Sequence, residues 1–503
     1  MNRNVDKYFD ENKPHAGLGR ASLHSGVAFF VARAANMLVQ VGSTILLARL
    51  LNPHDYGLVA MVFALLGFAP MLIDLGTTDA TVQKKSITHV DASALFWLKV
   101  AIGGTLTLLL AGGSGFIASF YGEPALTGIA LVSSLSLIVA ALSSQHFALM
   151  RRAMQFRRIA LIEISANVIS SIVAIAMAFT GWGYWALVAK PMLTTGLSAL
   201  GAWTSCPWLP GRPRLTPELK EMVGFGMGVT GFTMTDYFAR SADRIALGYF
   251  YGAGPLGYFQ NAFLLYDNLL SLFTQLHDVA VSSLSKLRNA VDELKRSWAA
   301  ALSSVTFFSA LAFAVLAVTG QDFVVLLLGQ KWEPAGPLLC IFAVRGIAHA
   351  VERTLGWLHV SAGRSDRWMR WGFFSAICQL VAVFVGIPFG LAGVATAHAV
   401  ATFCLFVPAL VYAGRPVGIG VKDVLRAVGP QTAAALITVA FGFAVQRAFL
   451  ADFSQLARFV VSVPICVVAY LTVVVGVFKL TAPLQLAFSL LRDFSPKRLR
   501  RST

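Results

Sequence analysis

A chain of 503 residues that is 57% hydrophobic and only 13% charged does not have the composition of a soluble globular protein. Its formal net charge of +16 is spread over short segments between apolar runs. That spread argues against a nucleic-acid patch and for loops oriented by anionic lipid and the insertion machinery. Cys206, Cys340, Cys378, Cys404 and Cys466 are scattered and form no CxxC, so neither a disulfide framework nor a zinc site is expected.

About 20 polar residues precede the first apolar stretch, which runs well past Ala32-Arg33-Ala34, so a cleaved leader is not expected. Fourteen stretches of membrane-spanning length follow: residues 24–50, 56–75, 93–120, 124–148, 159–180, 183–205, 222–249, 255–278, 298–328, 335–361, 370–389, 391–413, 425–449 and 457–479. The basic residues fall into every second gap. One side collects 28 of the 40 Lys+Arg, including Arg151, Arg152, Arg157 and Arg158 in one loop and Arg498, Arg500 and Arg501 in the tail. The other side holds Arg49, Lys331, Arg447 and Arg458. Basic loops stay cytoplasmic, which predicts an all-α polytopic membrane protein with both termini inside.

The proline-rich segment Cys206-Pro-Trp-Leu-Pro-Gly-Arg-Pro-Arg-Leu-Thr-Pro217 divides the first twelve spans. The expected order is an N-terminal segment (1–23), a six-helix lobe (24–205), a linker (206–221), a second six-helix lobe (222–413), a helix pair (425–479) and a basic tail (480–503). A shift of 200 residues aligns Gly26 with Gly226, Gly57 with Gly257 and Phe63 with Phe263, which predicts parallel repeats around a central cleft. Residues 282–297 place Leu284, Leu287, Val291 and Leu294 opposite Lys286, Asp292, Glu293 and Lys295. This pattern fits an amphipathic helix on the inner leaflet or one packed beneath the protein.

Ionisable residues inside the spans cost a few kcal/mol each unless paired or hydrated. The basic set is Arg33, Lys99, Lys190, Arg240, Arg244, Arg345 and Arg353; the acidic set is Glu163, Asp236, Asp243, Asp267 and Glu352. Arg33 lies roughly 14 Å into the first span at about 1.5 Å per residue. It has no acid one turn away, so it is the leading candidate for a phosphate ligand. Lys190 is similarly isolated and either binds an anion or snorkels outward. Asp236, Arg240, Asp243 and Arg244 share neighbouring helix faces, as cavity groups or as intrahelical pairs. Arg345, His349, Glu352 and Arg353 form one stripe. Asp267, Glu163, Asp236 and Glu352 are the carboxylates available to a coupling proton or sodium ion. For Asp267 the competing reading is a plain ion pair with the seventh span.

Gly226-Met-Gly-Val-Thr-Gly231 matches GxGxxG but opens a membrane helix, so close helix packing replaces a dinucleotide reading. No Walker A sequence and no nucleophile–base–acid set is present, and an enzyme is not expected. The run from Leu46 to Met61, with Asp74-Leu-Gly76 and Val82-Gln-Lys-Lys85, resembles the start of bacterial Wzx-type polysaccharide flippases. These form part of the multidrug/oligosaccharidyl-lipid/polysaccharide exporter superfamily, and the resemblance is closest to the colanic-acid exporter branch. It implies a two-lobed transporter that moves a polyprenyl-pyrophosphate-linked oligosaccharide by alternating access, with arginines such as Arg33 on the pyrophosphate. Polymerases and glycosyltransferases are the implied neighbours, and the last two spans are the additional pair of such flippases. The alternative class is an ion-coupled exporter of small drugs or metabolites, which favours an excess of buried acid.

Overall fold

The computed structural model describes residues 8–9, 35–84, 86–213, 230, 233–234, 237–238, 240–274, 290–361 and 364–485. Arg33 and Asp236 lie outside this set. Among the described residues the secondary structure is helical, without strands. Hydrocarbon offers no hydrogen-bond partner, and a helix satisfies its backbone within its own segment. Among the described residues, nine helical stretches are long and apolar enough to cross a membrane.

Contacts gather the chain into two units, Met1–Gly257 and Tyr258–Thr503. The first contains α1 (Ala35–Leu50), α2 (Pro53–Leu66), α3 (Ala69–Asp74), α4 (Thr77–Gln83), α5 (His89–Gly112), α6 (Ser114–Tyr121), α7 (Ala125–Arg152), α8 (Phe156–Phe179) and α9 (Trp185–Ser205), followed by α10 (240–251). Its core packs Phe96, Leu149, Met150, Cys206 and Trp208 together, and Tyr8 of the N-terminal segment is buried among them. α1 is tied to the bundle by polar bonds. Asn167 Nδ2 donates to Asn36 Oδ1 at 2.6 Å, and Lys190 Nζ donates to Ser43 Oγ at 2.5 Å.

Two glycines of the first unit mark the closest helix approach. A Cβ on Gly57 would lie 1.7 Å from the Ala253 carbonyl oxygen. One on Gly257 would lie 1.8 Å from that of Pro53. Residues two hundred positions apart thus exchange the same contact, as a local two-fold relation between these helix starts requires. Only glycine lets the backbones meet so closely.

The second unit begins within α11 (Ala253–Thr274) and continues with α12 (Val291–Leu328), α13 (Ala335–Glu352), α14 (Leu355–Ser361), α15 (Ser365–Gly386), α16 (Gly390–Gly414), α17 (Val421–Phe449) and α18 (Gln455–Leu471). α15 and α16 double back on each other through the 3₁₀ turn Ile387–Phe389 and Gly390, whose φ is +74°. Residues 291–297, expected within a separate amphipathic segment, are the first two turns of α12. Leu294 packs there against Trp298, Leu302 and Val424, so that face enters the protein core rather than the leaflet. Residues 282–289 lie outside the described set.

The final helix pair packs along α12. Arg458 of α18 grips buried Asp322 of α12, with Nε 2.8 Å from both carboxylate oxygens and Nη2 also on Oδ1. Tyr470 Oη donates to the Phe307 carbonyl at 2.9 Å. Replacing Arg458 by Ala strands a buried carboxylate, and the expected loss is about 3–5 kcal/mol of stability. Thermal unfolding of the purified protein measures it; an unchanged transition would deny the pair its structural role. Gly57→Val should be destabilising by about 1–3 kcal/mol or more through overpacking. A normally folded Gly57→Val protein would mean that the two helix starts separate freely.

Candidate functional site

A cavity of about 560 Å³ opens in the first unit between α3, α4, α7, α8 and α9. Its position follows from a broken helix. The stretch Pro53–Val82 stops at Asp74, and the chain passes through Leu75 at φ +45° and Gly76 at φ +65° before α4 resumes. A left-handed leucine stores local strain that surrounding contacts must hold. Leu75 N–H donates to the Met71 carbonyl at 3.0 Å, and Thr77 Oγ1 donates to the Asp74 carbonyl at 2.5 Å. At the far end of α4, Arg152 Nη1 donates to the carbonyls of Thr81 and Lys84, satisfying groups that the short helix leaves open.

The break places Asp74 and Thr78 against Lys99 of α5. Lys99 is only 1% exposed, and its ammonium donates to Asp74 Oδ1 at 3.1 Å, Thr78 Oγ1 at 3.1 Å and Ser144 Oγ at 2.9 Å. Three donors meet three acceptors, the arrangement a buried ammonium needs. Thr78 also donates to Asp74 Oδ1. The charge therefore joins both sides of the break to α5 and α7.

The cavity wall is polar on several sides. Asp74 and Asp79 come from α3 and α4, Ser143, Ser144 and Arg151 from α7, Glu163 from α8, and Thr194 and Ser198 from α9, while Phe147 adds an aromatic face. It lies at the end of these helices that leads into the basic run Arg151–Arg158.

Of the residues expected at the site, Glu163 lines this cavity. Lys190 sits one turn from it on α9, bonded to Ser43, and Thr194 Oγ1 donates to the Lys190 carbonyl at 2.8 Å. Arg240 and Arg244 are on α10, apart from the residues that line it. There the Asp243 carboxylate accepts from the Arg244 backbone N–H at 2.7 Å, with the guanidinium 3.8 Å away.

Asp267, Arg345, Glu352 and Arg353 belong to the second unit, where all four act electrostatically on the buried hydroxyl of Tyr266. That hydroxyl is hydrogen-bonded to His349 Nδ1. Arg345 Nε also donates to Thr402 Oγ1 at 3.0 Å, in a network with Gln379 and His398. Two members of the stripe read along one helix thus reach other helices, His349 through Tyr266 and Arg345 through Thr402.

Asp74, Thr78, Ser144 and Lys99 were not singled out as site residues from sequence. Asp74 carries part of the family resemblance, and Lys99 stands among the intramembrane bases, but their pairing crosses helices and leaves no short-range spacing. Three carboxylates line this cavity against Arg151, with Lys99 buried behind Asp74.

Residues 46–337 match the family model described as "Polysaccharide biosynthesis protein". The lipopolysaccharide biosynthesis protein WzxC of Escherichia coli K12 is 23% identical over 347 residues, covering 68% of this chain and 70% of that protein. The succinoglycan biosynthesis transport protein ExoT of Rhizobium meliloti is 22% identical over 348 residues, covering 68% and 69% respectively. Among solved structures, the lipid II flippase MurJ in an inward closed conformation superposes with a TM-score of 0.71 at 16% identity, over 90% of this chain and 99% of that one. An inward-facing multidrug transporter of the MATE family gives a TM-score of 0.62 at 11% identity, over 76% and 94%. At those identities the likeness is one of fold. With more than half of its length inside the matched region, this chain belongs to the polysaccharide biosynthesis protein family.

Proposed function

We propose that this protein transfers a polyprenyl-pyrophosphate-linked oligosaccharide from the cytoplasmic to the outer leaflet of a bacterial inner membrane. The transfer would serve exopolysaccharide, capsule or lipopolysaccharide assembly. The observation that carries this reading is a hydroxyl- and carboxylate-lined cavity inside a helical membrane protein of a polysaccharide family. Sugar hydroxyls lose their water on crossing hydrocarbon, and a wall of serines, threonines and carboxylates replaces those bonds. The pyrophosphate needs fixed positive charge, and a membrane interior charges a few kcal/mol for each unpaired ion. Arg33, Lys190, Arg240, Arg244, Arg345 and Arg353 are the bases nominated for it, with the basic loops and both termini on the cytoplasmic side.

The protein is a transporter, not an enzyme, and its reaction makes and breaks no covalent bond. Glycosyltransferases would supply the substrate on the inner face and a polymerase would consume it outside. A proton or sodium ion held by Glu163, Asp236, Asp267 or Glu352 would couple transport to an ion gradient. A second reading, an ion-coupled exporter of small cations, draws support from the three carboxylates of the cavity.

Depletion of the protein should accumulate lipid-linked oligosaccharide on the cytoplasmic leaflet and remove surface polymer. Unchanged lipid-linked sugar, with cation sensitivity that depends on Glu163 or Asp267, would move the assignment to the cation exporter. Arg33→Ala should abolish polymer export while the protein still reaches the membrane in normal amount. Normal polymer output from that variant would remove Arg33 from the pyrophosphate site.

A further inference from the structure

The two carboxylate oxygens of Asp74 have different surroundings. Oδ1 accepts from Lys99 Nζ at 3.1 Å and from Thr78 Oγ1. Oδ2 receives no hydrogen bond from any described residue, yet the Asp74 side chain is 36% exposed and lines the cavity. An ionised carboxylate accepts up to four hydrogen bonds, so substantial capacity remains on the open oxygen.

Lys99 is placed to support Asp74, not to meet a ligand. It is buried, its three protons are all taken, and the carboxylate stands between it and the cavity. The adjacent ammonium fixes the carboxylate through Oδ1 and so turns Oδ2 away from the pair. The result is a fixed acceptor at the wall of a cavity of about 560 Å³.

The remaining wall decides what that acceptor meets. Among the described lining residues, a phosphate entering here would face Asp74, Asp79 and Glu163 with Arg151 as the base, so these residues disfavour an anionic headgroup. A polyhydroxylated ring suits it better. Ser198 adds a hydroxyl to the same wall, Thr194 Oγ1 donates to the Lys190 carbonyl and meets Ser170 Oγ at 2.6 Å but keeps acceptor capacity, and Phe147 offers an apolar face for the C–H side of a sugar ring.

We infer that this cavity is a glycan subsite in which Asp74 Oδ2 accepts hydrogen bonds from sugar hydroxyls of the lipid-linked substrate, with Lys99 as its positioning residue. The inference rests on the flippase reading above and divides the substrate: sugar in this cavity, pyrophosphate elsewhere.

The test compares two ligands on the full-length protein in nanodiscs. One is lipid-linked oligosaccharide extracted from cells depleted of the protein; the other is bare polyprenyl pyrophosphate. The variant Asp74→Asn/Lys99→Met removes both charges together and leaves no stranded ammonium. It should bind the bare lipid as the wild type does and the glycosylated lipid about tenfold more weakly, the scale of one lost charge-assisted hydrogen bond. Thr194→Val/Ser198→Ala, which leaves the ion pair intact, should show the same selective loss and serves if the first variant folds poorly. Equal weakening for both lipids, or none for either, overturns the glycan subsite while the flippase reading stands. A wild-type protein that binds neither lipid, but binds small cations with an affinity that Glu163→Gln abolishes, overturns both.

Discussion

The hydrocarbon interior supplies no hydrogen-bond partner, and every polar group that this chain places at membrane depth has to be answered by protein or by a hydrated cavity. The backbone answers first, by forming helices. The side chains answer in a few specific places. Lys99 shares its protons among Asp74, Thr78 and Ser144, Arg458 closes on Asp322, Arg345 reaches Thr402, and Lys190 reaches Ser43. Each bond also fastens one helix to another, so the polar groups are part of what determines the packing.

The break at Leu75–Gly76 shows how such a constraint becomes a site. Stopping α3 at Asp74 exposes carbonyls and turns the chain so that Asp74 and Thr78 face the same ammonium. The strain at Leu75 is held by Thr77 on one side and by the Arg152 cap on α4 at the other. Irregular backbone at membrane depth is tolerated where it lines a cavity, and a cavity is what lies beside it.

Charge is distributed unevenly over the described residues. The cavity of the first unit is rich in carboxylates and hydroxyls, whereas Arg345, Arg353, Asp267 and Glu352 belong to the second unit, where Arg345 is bonded to Thr402. A lipid-linked oligosaccharide combines a polyanionic headgroup with uncharged hydroxyls, and these two parts require different surroundings. A small cation needs the carboxylates alone, and this is the physical distinction between the two functional readings.

Much of the architecture was legible in the residues. Hydrophobic length and the alternation of basic loops require helices that cross a membrane, because a charge in hydrocarbon costs more than any local preference can recover. The run from Leu46 to Met61 and Asp74-Leu-Gly76 carried the family, and the match over residues 46–337 agrees with it. Spacing along one helix could not reveal partners on another. Lys99 has no acid one turn away, yet Asp74, 25 positions earlier, is its counter-ion. Arg458, read as a loop residue, reaches Asp322 across 136 positions. Leu294 had the pattern of an interfacial helix but joins a core that includes Val424 of α17. Composition and periodicity determined that the chain is helical and membrane-embedded, and particular runs such as Leu46 to Met61 carried the family. Only the tertiary structure decided which buried charges pair and which border a cavity, because a side chain's partner depends on distance in space, and helix packing brings together residues that the chain keeps far apart.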